Sequence, residues 1–240
     1  MQLSGRPLTG GSRETENKVP RAVVFDRDNT LVELDRKIAH RYRCEISSAA
    51  PGLSLEAFSE LWSGWQGGWP RAREDEPEFW SEFWGTLAAR HEISSSSIAR
   101  LVELGSLYHR CFRAFPDALE CLTTLRAQGF SLAVLTNFRL PSIDLVLESS
   151  GIDPGLFEVM ESSSSLGIRK PDPGCYLAIA EVLGVPPEDC AYIDDLAENV
   201  RGAISAGLSS CWVVDRDRRD SSGDIPTIGS LRQLPPLLLG

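Results

Sequence analysis

Apolar and polar positions along this chain follow three successive rhythms. Ala22-Val23-Val24-Phe25 is an unbroken, partly β-branched apolar run that stops at Asp26-Arg27-Asp28-Asn29-Thr30, and such a run predicts a buried strand. From about 35 to 112 the apolar residues recur at helical spacing. Ile38, Tyr42 and Ile46 lie one turn apart, as do Leu55, Phe58 and Trp62, then Phe79, Phe83 and Leu87, then Ile98, Leu101, Tyr108 and Phe112. Breaks fall at Pro51-Gly52, Gly67-Gly68-Trp69-Pro70 and Ser94 to Ser97, with Ser54 placed as an N-cap and Pro77 in a first helical turn. From Phe115 onward strands and helices alternate. Pro116-Asp117 opens a helix that Gly129 ends; Phe130 to Leu135 reads as a strand, and a helix from 141 to 149 closes at Gly151. A short strand near 157 to 160 leads into Ser162 to Ser165, which reads as a flexible connector. Lys170-Pro171-Asp172-Pro173 then opens a helix ended by Gly184, Cys190 to Ile193 makes a strand, a helix runs to Gly207, and Ser210 to Val214 makes another strand.

Alternating strands and helices imply right-handed crossovers and a parallel sheet covered on both faces. The expected fold is α/β, a Rossmann-like doubly wound parallel sheet core with an inserted all-helical cap domain. The expected division is a loose polar tail over 1–19, a core built from 20–34 and 113–240, and a cap over 35–112. Five tryptophans crowd the cap at 62, 65, 69, 80 and 84. Trp80 and Trp84 read as cap core, whereas the loop from Gly64 to Arg73, with Trp69, Arg71 and Arg73, has the composition of a lid over an anionic substrate.

Composition narrows the function classes. With 240 residues, 42% of them hydrophobic, the chain can bury a real core. Its net charge of -10 and lack of a basic stripe argue against a nucleic-acid partner. No apolar run reaches the length of a membrane span. Six scattered cysteines form no Cys-x-x-Cys and no zinc spacing with the three histidines, so they read as reduced core residues. A cytoplasmic protein, monomer or homodimer, is expected.

The chemistry gathers where strands end. Alternate side chains of an extended chain share a face, so Asp26 and Asp28 point into one crevice. Thr136-Asn137, Lys170 and Asp194-Asp195 stand at or after later strand tips, and in a doubly wound sheet such tips converge. Clustered carboxylates need a counter-charge, and hard oxygens without histidine or thiolate point to Mg²⁺. A lysine and a hydroxyl opposite suit a phosphoryl group, with a carboxylate as nucleophile.

These motifs, in this order and with a helical insert after the first, resemble the haloacid dehalogenase superfamily, in the branch of phosphoglycolate phosphatases and β-phosphoglucomutase. The resemblance implies Asp26 as nucleophile and Mg²⁺ ligand, and Asp28 as general acid/base that also binds Mg²⁺ through its backbone carbonyl. It implies Thr136 and Asn137 on the phosphoryl group, Lys170 neutralising it, and Asp195 on Mg²⁺ with Asp194 assisting. Three positions depart from the family pattern. Asn29 replaces a common glycine and is among the few residues that tolerate a left-handed backbone; Asp194 replaces a frequent glycine, and Asn199 replaces a frequent acid.

The expected activity is Mg²⁺-dependent hydrolysis of a small phosphorylated metabolite through an aspartyl-phosphate. A phosphomutase, with a sugar hydroxyl replacing water, uses the same residues. A non-catalytic phospho-accepting domain is disfavoured, because receiver domains place their acidic pair before the acceptor. Asp-Arg-Asp is also similar to histidinol-phosphate and heptose-bisphosphate phosphatases, but the zinc loop of that branch is missing. Asp28 argues against dehalogenation. Specificity is expected from Trp69, Arg71 and Arg73, and the equal alternative is that both arginines only pair with Glu74, Asp75 and Glu76 at the surface.

Overall fold

The computed structural model describes residues 19–91, 93–217 and 223–239; all of the expected tail except Val19 lies outside them. Strand β1 (Ala22–Phe25) is completely buried. After a turn, β2 (Val32–Leu34) leads into four helices: α1 (Arg36–Ala49), α2 (Leu55–Ser63), α3 (Glu76–His91) and α4 (Ser95–Gly105). Strand β3 (Phe112–Ala114) returns antiparallel to β2. Then come α5 (Ala118–Ala127), β4 (Ser131–Thr136), α6 (Ile143–Ser149), β5 (Val159–Ser162), α7 (Ser163–Leu166) and α8 (Pro173–Leu183). The chain closes with β6 (Cys190–Asp194), α9 (Ala197–Ser205), β7 (Ser210–Val214), β8 (Thr227–Ile228) and α10 (Leu234–Leu239).

The six-stranded sheet has the order β5-β4-β1-β6-β7-β8, every pair parallel. Its period of two sorts the core. Val23, Phe25, Leu132, Val134 and Ile193 face one way, onto Leu122, Leu125, Ile143 and Leu147 of α5 and α6. Ala22, Val24, Ala133, Leu135 and Tyr192 face the other way, onto Tyr176, Ile179, Val200 and Ala203 of α8 and α9. Both faces are covered, as an all-parallel sheet requires.

Between β2 and β3 the aromatic residues extend the core on the α5 and α6 side of the sheet. Trp62 stacks on Trp80 at 6.0 Å and meets Trp69 edge-on at 4.8 Å. Trp80 and Trp84 are buried, as their spacing predicts. The last cap helix is shorter than expected. It stops at Gly105, where any Cβ would lie 2.6 Å from the Trp80 ring. Tyr108 then falls in a 3-10 turn and Phe112 in β3. The serine run differs too: it is a helix rather than a connector. The Ser162 hydroxyl accepts from the Ser165 N–H at 3.1 Å and Ser165 Oγ accepts from the Ser162 N–H at 2.9 Å, so serines supply the capping groups that helix ends lack.

Candidate active site

Register places the site. Phe25 pairs with both Val134 of β4 and Ile193 of β6, so the next residues along, Asp26 and Asp194, emerge side by side at the centre of the sheet. This is the crevice where the chain switches direction across the sheet. Asn29 makes the turn after β1 possible with φ of 58°, the left-handed conformation expected for it. Its N–H donates to Val32 O at 2.7 Å, and its side chain hydrogen-bonds Asp195.

Lys170 is the hub. Its ammonium donates to Asp26 Oδ1 at 2.6 Å and to Asp194 Oδ2 at 2.7 Å, all three groups being buried. Burial works against the charge on Lys170, but the two carboxylates outweigh it and hold its proton above the ordinary lysine range. Asp26 is pushed well above the usual carboxylate range by burial; Lys170 opposes this, while Asp194 and Asp28 add to it. Asp195 rises to about 6 through burial and the neighbouring Asp194.

Asp194 is held from every side. Its oxygens accept from Tyr192 OH at 2.5 Å, from the Leu196 N–H at 2.8 Å, and from Asn199 Nδ2 at 3.0 and 3.1 Å. Sequence alone places Tyr192 in a strand but not in the site, although its position two residues before Asp194 puts both on one face of β6. Asn199 donates to Asp194 where a carboxylate would repel it. Thr136 is buried and its Oγ1 accepts from the Phe138 N–H at 3.1 Å, which leaves its own proton for another acceptor. The Asn137 side chain is turned to the Lys170 backbone: Nδ2 donates to Lys170 O at 3.0 Å and Oδ1 accepts from Lys170 N at 2.8 Å. Asn137 therefore fixes the lysine loop, and the helical serine Ser163 in turn donates to Asn137 O at 3.1 Å.

The donor set fits a hard divalent cation. Oxygens of Asp26, Asp194 and Asp195 lie within 4.8 Å of one another, and Oδ2 of Asp26 is buried without a hydrogen-bond partner. Three carboxylates against one ammonium leave negative charge that such an ion would offset. A cavity of about 1020 Å³ opens beside Asn29 and Asp195, with Arg36, Arg113, Asp215 and Arg216 on its walls.

The three specificity candidates lie elsewhere. Trp69 packs on Phe79 at 5.2 Å, and Arg139 lies over its ring at 4.7 Å. Arg73 pairs with Asp144 of α6 at 2.6 Å rather than with its acidic neighbours. Arg71 is exposed, with its N–H on Asp75 Oδ2 at 3.3 Å. Gly67 serves close packing: a Cβ there would lie 2.3 Å from the Trp65 ring. The 64–73 loop is thus fastened to the loop after β4 and to α6.

Comparison with known proteins agrees with this geometry. The family described as haloacid dehalogenase-like hydrolase matches residues 20–207. Phosphatase MT3486 of Mycobacterium tuberculosis (strain CDC 1551 / Oshkosh) is 36% identical over 88% of this chain and 94% of its own length. (S)-2-haloacid dehalogenase 4A of Burkholderia cepacia is 28% identical over 91% of this chain and 94% of its own. The crystal structure of a HAD phosphatase from Thermococcus onnurineus shares the fold with a TM-score of 0.63 and 22% identity, over 91% of this chain and 97% of that one. The family match spans most of the described sheet and all of the helices inserted after its first strand, and the chain belongs to the haloacid dehalogenase-like hydrolases.

Proposed function

We propose that this hydrolase is a Mg²⁺-dependent phosphatase of a small phosphorylated metabolite. The observation that carries the reading is the oxygen cluster of Asp26, Asp194 and Asp195 with its unpartnered Asp26 oxygen. A phosphoryl group brings further negative charge into an acid-lined crevice, and a bound cation suits exactly that load better than a neutral carbon centre would. Mg²⁺, held by Asp26, Asp195 and the backbone carbonyl of Asp28 with Asp194 assisting, would supply charge neutralisation. Asp194 serves as the bracket that fixes Lys170.

The chain's own residues then carry the reaction. A carboxylate oxygen of Asp26 attacks phosphorus, and the bond from phosphorus to the leaving oxygen breaks. Asp28 gives that oxygen its proton. Lys170 and Thr136 hold phosphoryl oxygens meanwhile. In the second half a water loses a proton to Asp28 and attacks phosphorus; the bond to Asp26 breaks and phosphate leaves. Burial of Asp26 beside Lys170 keeps bulk water from the first step.

Phosphate release from p-nitrophenyl phosphate and a panel of sugar phosphates, with and without Mg²⁺, tests this. Mg²⁺-dependent release that Asp26→Asn abolishes supports it. Inactivity on every phosphate, with halide release from 2-haloacids, would overturn it.

A further inference from the structure

Arg27 has no part in the chemistry just described, yet it is fully buried. Its guanidinium lies 4.3 Å from the centroid of the Phe138 ring and 5.2 Å from that of Phe112, between the loop after β4 and strand β3. Two nitrogens fork onto the next residue. Nη2 donates to Asp28 Oδ2 at 2.8 Å and to Oδ1 at 3.0 Å, and Nε donates to Oδ1 at 3.2 Å. The third nitrogen, Nη1, is buried with no partner.

Stability does not explain this arrangement. A pair between adjacent residues ties no distant elements together, and an apolar side chain between two phenyl rings would avoid both the desolvation cost and the orphaned donor. What the fork does is orient Asp28. That side chain is 34% exposed, so without a fixed partner it would sample several rotamers. A two-point contact from a planar guanidinium, itself held between rings, removes that freedom. It also accounts for the absence of Asp28 from the oxygen cluster made by Asp26, Asp194 and Asp195.

We propose that Arg27 is a positioning residue that aims the Asp28 carboxyl group at the leaving oxygen and keeps it out of the metal cluster. This rests on the phosphatase reading above. Proton transfer depends steeply on placement, and an alkyl phosphate needs the proton at its leaving oxygen far more than p-nitrophenyl phosphate does. Loss of the fork should therefore penalise the two substrates unequally.

The test measures kcat and KM on an alkyl phosphate and on p-nitrophenyl phosphate for wild type, Arg27→Met and Arg27→Lys, with crystal structures reporting the Asp28 rotamer. Arg27→Met is expected to lower kcat on the alkyl phosphate by about 10²-fold and on p-nitrophenyl phosphate by clearly less, with Asp28 reoriented. Arg27→Lys, which keeps the charge but not the fork, should fall between. A folded Arg27→Met with unchanged kcat, or with equal losses on both substrates, overturns the proposal. If Arg27→Met does not fold, Arg27→Lys decides: an alkyl-to-aryl ratio equal to wild type overturns it, and a lowered ratio supports it. The alkyl phosphate is one that wild type hydrolyses in the sugar phosphate panel; wild type inactive on every phosphate and releasing halide from 2-haloacids would overturn the phosphatase reading itself, whereas an active wild type with indifferent variants removes only the role of Arg27.

Discussion

Lys170 faces two buried carboxylates with one ammonium, and the rest of the site is arranged around that shortage of positive charge. Removing it as Lys170→Met leaves Asp26 and Asp194 unpaired below the surface. Breaking a buried pair in this way costs on the order of 3–5 kcal/mol, so both a lowered midpoint in urea and loss of turnover are expected; a variant as stable as wild type would contradict the hub. The candidate residues that could be picked out from sequence were those with a chemical signature at a strand tip: Asp26, Asp28, Thr136, Asn137, Lys170, Asp194 and Asp195. Asn29 was legible because few side chains accept its backbone. Tyr192 and the Arg27 fork were not, because a tyrosine in a strand and an arginine beside an acid have many ordinary explanations. Only the burial of both, and their distances to Asp194 and Asp28, sets them apart.

At the level of elements, α9 and the loop carrying Lys170 are pressed together at Gly202. A Cβ on that glycine would meet Pro171 O at 2.5 Å and Tyr176 OH at 3.0 Å, and a backbone oxygen cannot step aside as a flexible side chain can. Gly202→Ala is expected to displace Pro171 and with it Lys170. The predicted result is a lower Tm together with a fall in kcat/KM, checked by calorimetry and steady-state kinetics; an unchanged pair of values would show that the loop yields freely. The alternation of strands and helices from Phe115 on was readable because most breaks carry a glycine or proline, and the break between β6 and α9 carries the acids Asp194-Asp195 instead. The serine run and the end of α4 were not, since one depends on hydroxyls capping their own turn and the other falls within a stretch whose apolar spacing continues to Phe112. The 64–73 loop has a lid's composition, but its Trp69–Arg139 and Arg73–Asp144 contacts fasten it to the loop after β4 and to α6 of the core.

For the molecule as a whole, the sheet order brings residues 26, 136, 170 and 194 to one crevice, and the topology was inferable because parallel strands with right-handed crossovers leave few arrangements. The inserted helices contribute an aromatic core that packs onto Phe138, with Tyr108 stacked on it at 5.5 Å. Among the described residues no helix is long and apolar enough to cross a membrane. A cation that binds the native carboxylates and not the unfolded chain must raise stability by mass action. Mg²⁺ should therefore raise Tm in wild type and do so less in Asp195→Asn. The sign of the pH effect follows from Asp195, whose pKa is raised to about 6 by burial and Asp194: below that pH it holds a proton that competes with the ion, and above it the carboxylate is free. The Mg²⁺-induced shift in Tm should thus shrink as pH falls through about 6, as differential scanning calorimetry at several pH values would show; a shift equal at pH 5 and pH 8, two values chosen at roughly one or two units either side, would contradict this assignment.

The central claim is that Asp26 carries a phosphoryl group which Asp28 helps water to remove. Blocking the second half-reaction should make the intermediate accumulate. Asp28→Asn, mixed with p-nitrophenyl phosphate and Mg²⁺, quenched in acid and analysed by peptide mass spectrometry, should show a phosphoryl adduct on Asp26. The leaving group of that substrate departs with little help from a proton, so attack by Asp26 persists in the variant. No adduct, or an adduct on another residue, would contradict the account.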